Sequence, residues 1–373
     1  MNSPPRADDD YADEVVAARR AWCGAPVPHL AGSPVPAADA RGNVEGFVGY
    51  AQIPVGVAGP LVLVGDVAGE FRVPFATTEG ALVASHQRGM KVCAEAGGIA
   101  VHLLHDGLAV WPTFLYASVG EARAAALAVE RERARLVGAA EGTTGHGRVT
   151  RLVPHVMGRR LVVELEMHTG EAHGINMVTR AAEAVAALVP RAVQVLLHGF
   201  DVEKRASAWK PRGKHVVAEA RIPGAVLERR LRARARDVAE AWQTYQLMFA
   251  RMGTRLHAIQ PANGLAAIYA ACGQDVAYVA ESAVGTLSLE AENRDLVAVL
   301  DLPNLHAATV GGGTRKGTAR ECIALTGVAS ARELACVIAG ALLCGDVSLA
   351  ASFVAGDFVG AHERLGRNRP SSK

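Results

Sequence analysis

Apolar residues recur with a helical period in some stretches of this chain and alternate in others, and each switch marks an element. Residues 11–40 predict one short amphipathic helix (ADEVVAARRAW) and then a connector rich in Ala and Pro, with Pro26, Pro28, Pro34 and Pro36. Residues 41–75 read as turns and short strands punctuated by Gly46, Gly49, Gly56, Gly59 and Pro60, with a strand at 61–64. The stretch TTEGALVASHQRGMKVCAEAGG at 77–98 predicts a helix. Thr77 or Thr78 would cap it, Glu79 suits its first turn, and Gly97-Gly98 would end it. Leu82, Val83, His86 and Met90 fall on one face.

Residues 112–195 predict a separate α+β unit. Strand-like stretches at 113–119, 149–154 and 161–167 surround a helix at 120–138, and a second helix runs from Gly174 to Leu188. Beyond it the pattern predicts a strand at 215–222, a long amphipathic helix at 224–251, helices at 262–273 and 278–291, a strand at 295–301 and mostly helix over 330–363.

Composition narrows the class. The 373 residues suffice for two or three packed units, and 50% hydrophobic with 20% charged residues fits a soluble globular protein. A net charge of +2 gives no reason to expect nucleic acid. The cluster Arg229, Arg230, Arg232, Arg234 and Arg236 reads as a solvated helix face. The N-terminus MNSPPRADDD lacks the apolar core of a signal peptide, and no apolar run reaches the ~18 residues of a membrane span. The richest run, 334–343, reads as a buried helix, so no membrane contact and a cytoplasmic location are expected. None of the six cysteines sits in a CxxC pair, which speaks against a metal site. Cys272 and Cys344 read as buried free thiols.

Three Gly-rich segments raise the question of an anionic ligand: IPVGVAGPL at 53–61, GEAHGINMV at 170–178 and TVGGGT at 309–314. Glycines ahead of a helix let backbone N–H groups approach an anion. None matches the GxGxxG or Walker pattern, so a Rossmann fold is disfavoured. Taken in order, GYAQIPVGVAGPL (49–61), VPFATTEGALVAS (73–85), GINMV (174–178), CGQD (272–275), LPNL (302–305), TVGGGT (309–314) and SLAASFVAGDFVGAH (348–362) resemble the HMG-CoA reductase family, in the class found in eukaryotes and archaea.

That resemblance implies an α+β fold with an N-terminal arm (1–40), a large acyl-thioester-binding domain (41–111 and 196–373) and a small ferredoxin-like NADPH-binding domain inserted at 112–195. It implies a homo-oligomer, dimer or tetramer, with active sites shared between subunits. It also implies reduction of an acyl-CoA thioester to a hemithioacetal, loss of CoA thiol and reduction of the aldehyde, with two NADPH consumed. Such chemistry needs an oxyanion stabiliser, proton donors for each alkoxide and an acid for the thiolate. By motif register, Glu79 matches the catalytic acid, Asp275 a buried aspartate that tunes the acid and the lysine, and His362 the histidine that protonates the thiolate. Arg148, Glu171, Gly174, Asn176, Met177, Gly311, Gly312 and Gly313 match the NADPH site. Glu45, Arg205, Gln260 and Asn263 fall at the acyl-thioester site.

The departures are concentrated in the site. The family's Asp-Lys-Lys-Pro segment corresponds to Asp201-Val202-Glu203-Lys204-Arg205. An ungapped count from Trp209 puts Val202 in the lysine slot, whereas a short deletion puts Lys204 there. Asn becomes Gly46, Asp becomes Glu171, Met becomes His173 and His becomes Gln260. Val110 and Gln243 replace an Arg and a Lys that would face the HMG carboxylate. Losing two charge-assisted hydrogen bonds, roughly 1.5–3 kcal/mol each, predicts a preferred thioester other than HMG-CoA. Two other readings stand beside this one. The scaffold could perform non-redox acid–base chemistry such as cyclisation, dehydration or hydrolysis, or it could be a non-catalytic paralogue assembling with an active reductase.

Overall fold

The computed structural model describes residues 5, 7–9, 11–23, 26, 28–197, 203–207, 212–254 and 256–356. The arm contributes α1 (Asp13–Trp22), α2 (Pro28–Ala31) and a 3-10 turn (Ala37–Ala40). Next come β1 (Val55–Gly65), β2 (Gly69–Ala76), α3 (Leu82–Glu95) and β3 (Ile99–Val110). They are followed by β4 (Thr113–Leu115), α4 (Val119–Arg131), α5 (Arg133–Glu141), β5 (Arg148–Met157), β6 (Arg160–His168), α6 (Ile175–Ala186) and β7 (Gln194–Leu196). The remainder is β8 (Gly213–Ile222), α7 (Gly224–Leu231), α8 (Ala235–Met252), α9 (Pro261–Ala271), α10 (Val279–Ser282), β9 (Thr286–Glu292), β10 (Asp295–Leu305), α11 (Gly317–Thr326) and α12 (Ala331–Val354).

The strands join in the order β7-β4-β6-β3-β8-β10-β9, with β1 beside β3 and β2 beyond it, and β5 beside β6. Strand β3 holds this arrangement together. Residues 100–107 pair antiparallel with β8, and residues 108–110 pair with β6. One apolar core lies under β1, β2, β8, β9 and β10, packed by α3, α9 and α12. A second core is drawn from residues 108–189, where Val110, Leu161, Leu165 and Met167 meet Ala122, Val178 and Val185. The fold is α+β.

Several elements differ from the sequence pattern, each for a local reason. Helix α3 starts at Leu82, not at Thr77. Ala81 takes its N-cap position with φ 72°, and Thr77 Oγ1 instead accepts the Glu79 N–H at 3.0 Å in a tight turn, which leaves Glu79 outside the helix. Strand β4 stops at Leu115 because Ser118 caps α4, accepting the Glu121 N–H at 3.1 Å. The helix expected at 120–138 breaks at Glu132 into α4 and α5. The helix expected at 224–251 breaks at Arg232, whose φ of 55° ends α7. Only Val279–Ser282 of the helix expected at 278–291 is helical. From Thr286 the alternation of buried Leu287 and Leu289 makes β9, which turns through Asn293 (φ 58°) into β10.

Helix α12 is 24 residues long, longer than its apolar run suggested, and by length and composition it could cross a membrane. In this fold 94% of its most apolar 18-residue window is buried. The arginine cluster is matched by acids: Arg229 and Arg230 meet Glu95, Arg234 meets Asp237 and Arg236 meets Glu240. Cys272 and Cys344 are buried thiols.

Candidate active site

A cavity of about 420 Å³ opens between the start of α6, the glycine turn at 311–313 and the segment 203–204. Its first wall is made by Gly174–Met177. Gly174 sits at the α6 N-cap with φ 88°, a conformation that favours glycine, and a Cβ there would lie 2.3 Å from Thr169 Cγ2. Gly174 offers no side chain to cap α6, and Ile175, Asn176 and Met177, whose N–H groups have no partner within the helix, line the cavity. The opposite wall is Gly311, Gly312, Gly313 and Thr314. Here two backbones touch: a Cβ on Gly273 would lie 2.4 Å from the Gly313 carbonyl oxygen, and one on Gly313 would lie 2.5 Å from that of Gly273. The glycines of GINMV, CGQD and TVGGGT thus build one cradle from three distant segments.

Lys204 and Asp275 close the cavity. Lys204 Nζ lies 2.9 Å from Asp275 Oδ2 and 4.9 Å from the centre of the Tyr278 ring. The structure therefore brings Lys204, of the two lysine-slot candidates, to the aspartate. Val202 lies outside the described residues, as does His362. Asp275 is not buried in this chain: its side chain is 50% exposed, and it also caps a turn by accepting the Ala277 N–H at 3.0 Å. Burial pulls its carboxyl upward, but the Lys204 ammonium and the Ala277 N–H outweigh that and hold it below the ordinary aspartate value.

Beneath Lys204 lies a polar network that sequence reasoning missed. Glu281, fully buried, accepts the Lys204 backbone N–H at 3.0 Å and both of its oxygens accept from Arg212 Nη1, at 2.9 and 3.0 Å. Lys204 itself has φ 55°, so this bond fastens a residue in a conformation that costs a non-glycine residue energy. Tyr278 donates to Glu203 Oε1 at 2.6 Å. Burial raises the Glu281 carboxyl, with Arg212 opposing it. His173 Nε2 lies 2.9 Å from His306 Nδ1, and both rings pack on Tyr278 with centroids 4.4 Å away. Burial drives both imidazoles to the neutral form, His173 down to about 2. Residues 173, 212, 281 and 306 are far apart in the chain, and no spacing rule joins them.

Replacing Glu281 by Gln takes from the Arg212 guanidinium, 3% exposed, its nearest carboxylate and leaves it Glu203 at 3.9 Å. Glu281→Gln is expected to lower unfolding free energy by about 1–3 kcal/mol. Urea unfolding at neutral pH, followed by circular dichroism, measures it.

Other expected site residues lie elsewhere. Glu79 is exposed on its turn and does not line the cavity. Glu45, Arg148, Arg205 and Asn263 are exposed and also outside its lining. Arg148 Nη1 donates to the neighbouring Gly147 carbonyl at 2.8 Å. The Gln260 backbone N–H donates to Asp346 Oδ1 at 2.9 Å, under the start of α9. Glu171 does not line the cavity; its carboxylate accepts the Thr309 hydroxyl at 2.7 Å and the Ala331 N–H at 2.5 Å, tying the approach to α6 to the first turn of α12. Val110 is fully buried in the second core, so its side chain does not face a ligand in this cavity. Gln243 lies on the exposed face of α8.

Comparison with known proteins places this geometry in a family. The hydroxymethylglutaryl-coenzyme A reductase family model matches residues 16–367. A 3-hydroxy-3-methylglutaryl-coenzyme A reductase of Aeropyrum pernix is 39% identical over 87% of this chain and 82% of its own length. That of Methanothermobacter thermautotrophicus is 35% identical over 95% of this chain and 94% of its own. A fungal relative of the same name, from Phycomyces blakesleeanus, is 33% identical over 85% of this chain and 29% of its own length. Among solved structures, the NADPH-bound class II enzyme of Streptococcus pneumoniae shares the fold, with a TM-score of 0.71 at 21% identity, covering 94% of this chain and all of that one. With three of its motifs meeting around one cavity and its relatives both archaeal and eukaryotic, the chain belongs to the hydroxymethylglutaryl-coenzyme A reductase family.

Proposed function

We propose that this protein reduces an acyl-CoA thioester with NADPH, and that the cavity between α6, the glycine turn and Lys204 is where the reduction occurs. The observation that carries the reading is the Lys204–Asp275 pair, 2.9 Å apart, set against a donor-rich glycine cradle. The cradle suits an anionic dinucleotide: Gly174, Asn176 and Met177 at the helix start and Gly311–Gly313 across from it would hold its phosphates. When bound, NADPH supplies the hydride. Lys204 offers its ammonium hydrogens to the carbonyl oxygen as negative charge gathers there. Asp275 keeps that ammonium aimed and charged, and Glu281 fixes the backbone beneath it.

Glu79 is the proton donor in this reading. Because it is exposed and outside the cavity, it acts where a second copy of the chain brings it to a neighbour's site, which fits a homo-oligomer with shared sites. Glu79→Gln is expected to lower turnover roughly a hundredfold while NADPH affinity stays unchanged. Mixed refolding of Glu79→Gln with Lys204→Met chains should restore about a quarter of wild-type activity if the two groups come from different subunits of a dimer. No recovery on mixing would place both groups in one subunit.

The name of the relatives makes HMG-CoA the first thioester to assay. Val110, sealed in the second core and outside the cavity lining, gives no ground for a different acyl group. A panel of CoA thioesters read at 340 nm tests the reading, beginning with HMG-CoA. Absence of NADPH oxidation with every thioester, despite NADPH binding, would turn attention to non-redox acid–base chemistry.

A further inference from the structure

The buried histidine pair carries an inference of its own, resting on the NADPH reading above. One hydrogen sits between His173 Nε2 and His306 Nδ1, 2.9 Å apart, and either ring could own it. The surroundings decide. His306 Nε2, on the far side of its ring, lies 3.3 Å from Glu281 Oε1. That contact makes no hydrogen bond, and this nitrogen has no hydrogen-bond partner among the described residues. Glu281 is ion-paired with Arg212, at 2.9 Å, so its carboxylate is an acceptor. A lone pair on His306 Nε2 would face that carboxylate unfavourably, whereas an N–H there is attracted to it. His306 therefore carries its hydrogen on Nε2 and accepts at Nδ1. His173 in turn carries its hydrogen on Nε2 and donates it to His306. This leaves His173 Nδ1 as a bare acceptor.

No described residue pairs with that nitrogen, and His173 lines the cavity. Backbone bonds and ring packing hold the pair in place. His306 is anchored by its backbone, its N–H donating to Ser282 Oγ at 3.1 Å and its carbonyl accepting from Tyr269 at 2.5 Å. Both rings are wedged against Tyr278. Neutrality, imposed by burial, keeps the acceptor from being protonated across the ordinary pH range.

We propose that His173, held in this tautomer by His306 and Glu281, accepts a hydrogen bond from the carboxamide N–H of the nicotinamide ring and so sets the face of the ring turned toward Lys204. His173 immediately precedes the Gly174 cap that would hold the dinucleotide phosphates, and its ring packs on the same Tyr278 that lies under Lys204 Nζ. The ring end of the cofactor must span that interval for hydride to reach a carbonyl beside Lys204. Of the carboxylates that line the cavity, Asp275 is engaged by the Lys204 ammonium and the Ala277 N–H, and Glu203 by the Tyr278 hydroxyl. A carboxamide presents both a donor and an acceptor, and His173 Nδ1 offers its donor a neutral acceptor that no described residue engages.

The test compares binding, by fluorescence titration, of NADPH and of its reduced 3-acetylpyridine analogue, which keeps the ribose and phosphates but has no carboxamide N–H. Wild-type protein should bind the analogue about five- to tenfold more weakly, the worth of one neutral hydrogen bond. His173→Met should bind the two alike, at close to the analogue's affinity. His173→Gln, which keeps an acceptor oxygen, should recover part of the difference. Equal binding of both by the wild type would overturn the proposal, and so would a full difference surviving in His173→Met. The wild-type comparison needs no variant to fold. If the wild type bound neither compound, the cofactor reading itself would fall.

Discussion

Lys204→Met is expected to lower turnover on the order of a thousandfold, the upper range for removing one preorganised oxyanion donor, while leaving NADPH affinity nearly unchanged. The side chain keeps its length and apolar stem, so the loss isolates the ammonium. Two observations make the expectation sharp. Lys204 is held from both ends, its Nζ by Asp275 at 2.9 Å and its N–H by Glu281 at 3.0 Å. The cradle residues that would hold the cofactor lie on α6 and the glycine turn, and none bonds to Lys204. Steady-state rates with the best thioester, paired with NADPH titration, check it. A variant with near-wild-type turnover would remove Lys204 from the chemistry and leave the Lys204–Asp275 pair as a surface ion pair.

The second large effect is on stability. Asp346 sits in the middle of α12 and is fully buried, with its carboxylate accepting the Gln260 N–H at 2.9 Å and the Ile259 N–H at 3.4 Å. Burial pushes its carboxyl up to about 7, against the two backbone bonds that favour the anion. Between the ordinary value of 3.8 and about 7 the folded protein therefore holds a proton that the unfolded chain has lost. Folded stability from this group falls as pH rises through that window and is level above it. Across the whole window the loss is on the order of 4 kcal/mol. Asp346→Asn should thus gain on the wild type steadily from pH 4 to pH 7, measured as the difference in urea unfolding free energy at each pH. Taking the difference matters because His86, lowered by burial to about 4, and the buried pair His173 and His306 titrate in the opposite sense in both proteins. A difference that did not change with pH would show Asp346 to be ionised in the fold throughout.

How much of this the sequence disclosed depended on distance along the chain. The glycine segments were legible because each needs a local backbone geometry that only glycine supplies easily, as Gly174 shows with its φ of 88°. The elements β4, β5, β6 and α6 were visible from local periodicity. The helix at 278–291 was misread because its first residues, Val279–Ser282, are helical while Leu287 and Leu289, two apart, alternate as a strand that pairs with β10. Helix α3 was started too early because Thr77 can serve a turn as well as a cap. Strand β3 was not anticipated at all, since its exposed His102 and Leu104 blur the alternation. Of the site, Lys204 and Asp275 came from motif register. Glu281, Arg212, His173 and His306 meet only through the fold, with 133 residues separating the two histidines. Val110 illustrates the reverse failure: a position read as facing a ligand is in fact core.

The continuity of β3 has a consequence for how such a protein can be rearranged over evolutionary time. A unit tethered by two loose linkers can be lost, swapped or duplicated as a cassette, because its removal leaves the host sheet intact. Here one uninterrupted strand serves both cores, pairing with β8 through Gly107 and with β6 from Leu108 onward. Excising residues 112–195 would strip the end of that strand of its partner and uncover Leu108 and Val110. The two cores that β3 joins are therefore bound to diversify together, by substitution rather than by exchange of parts.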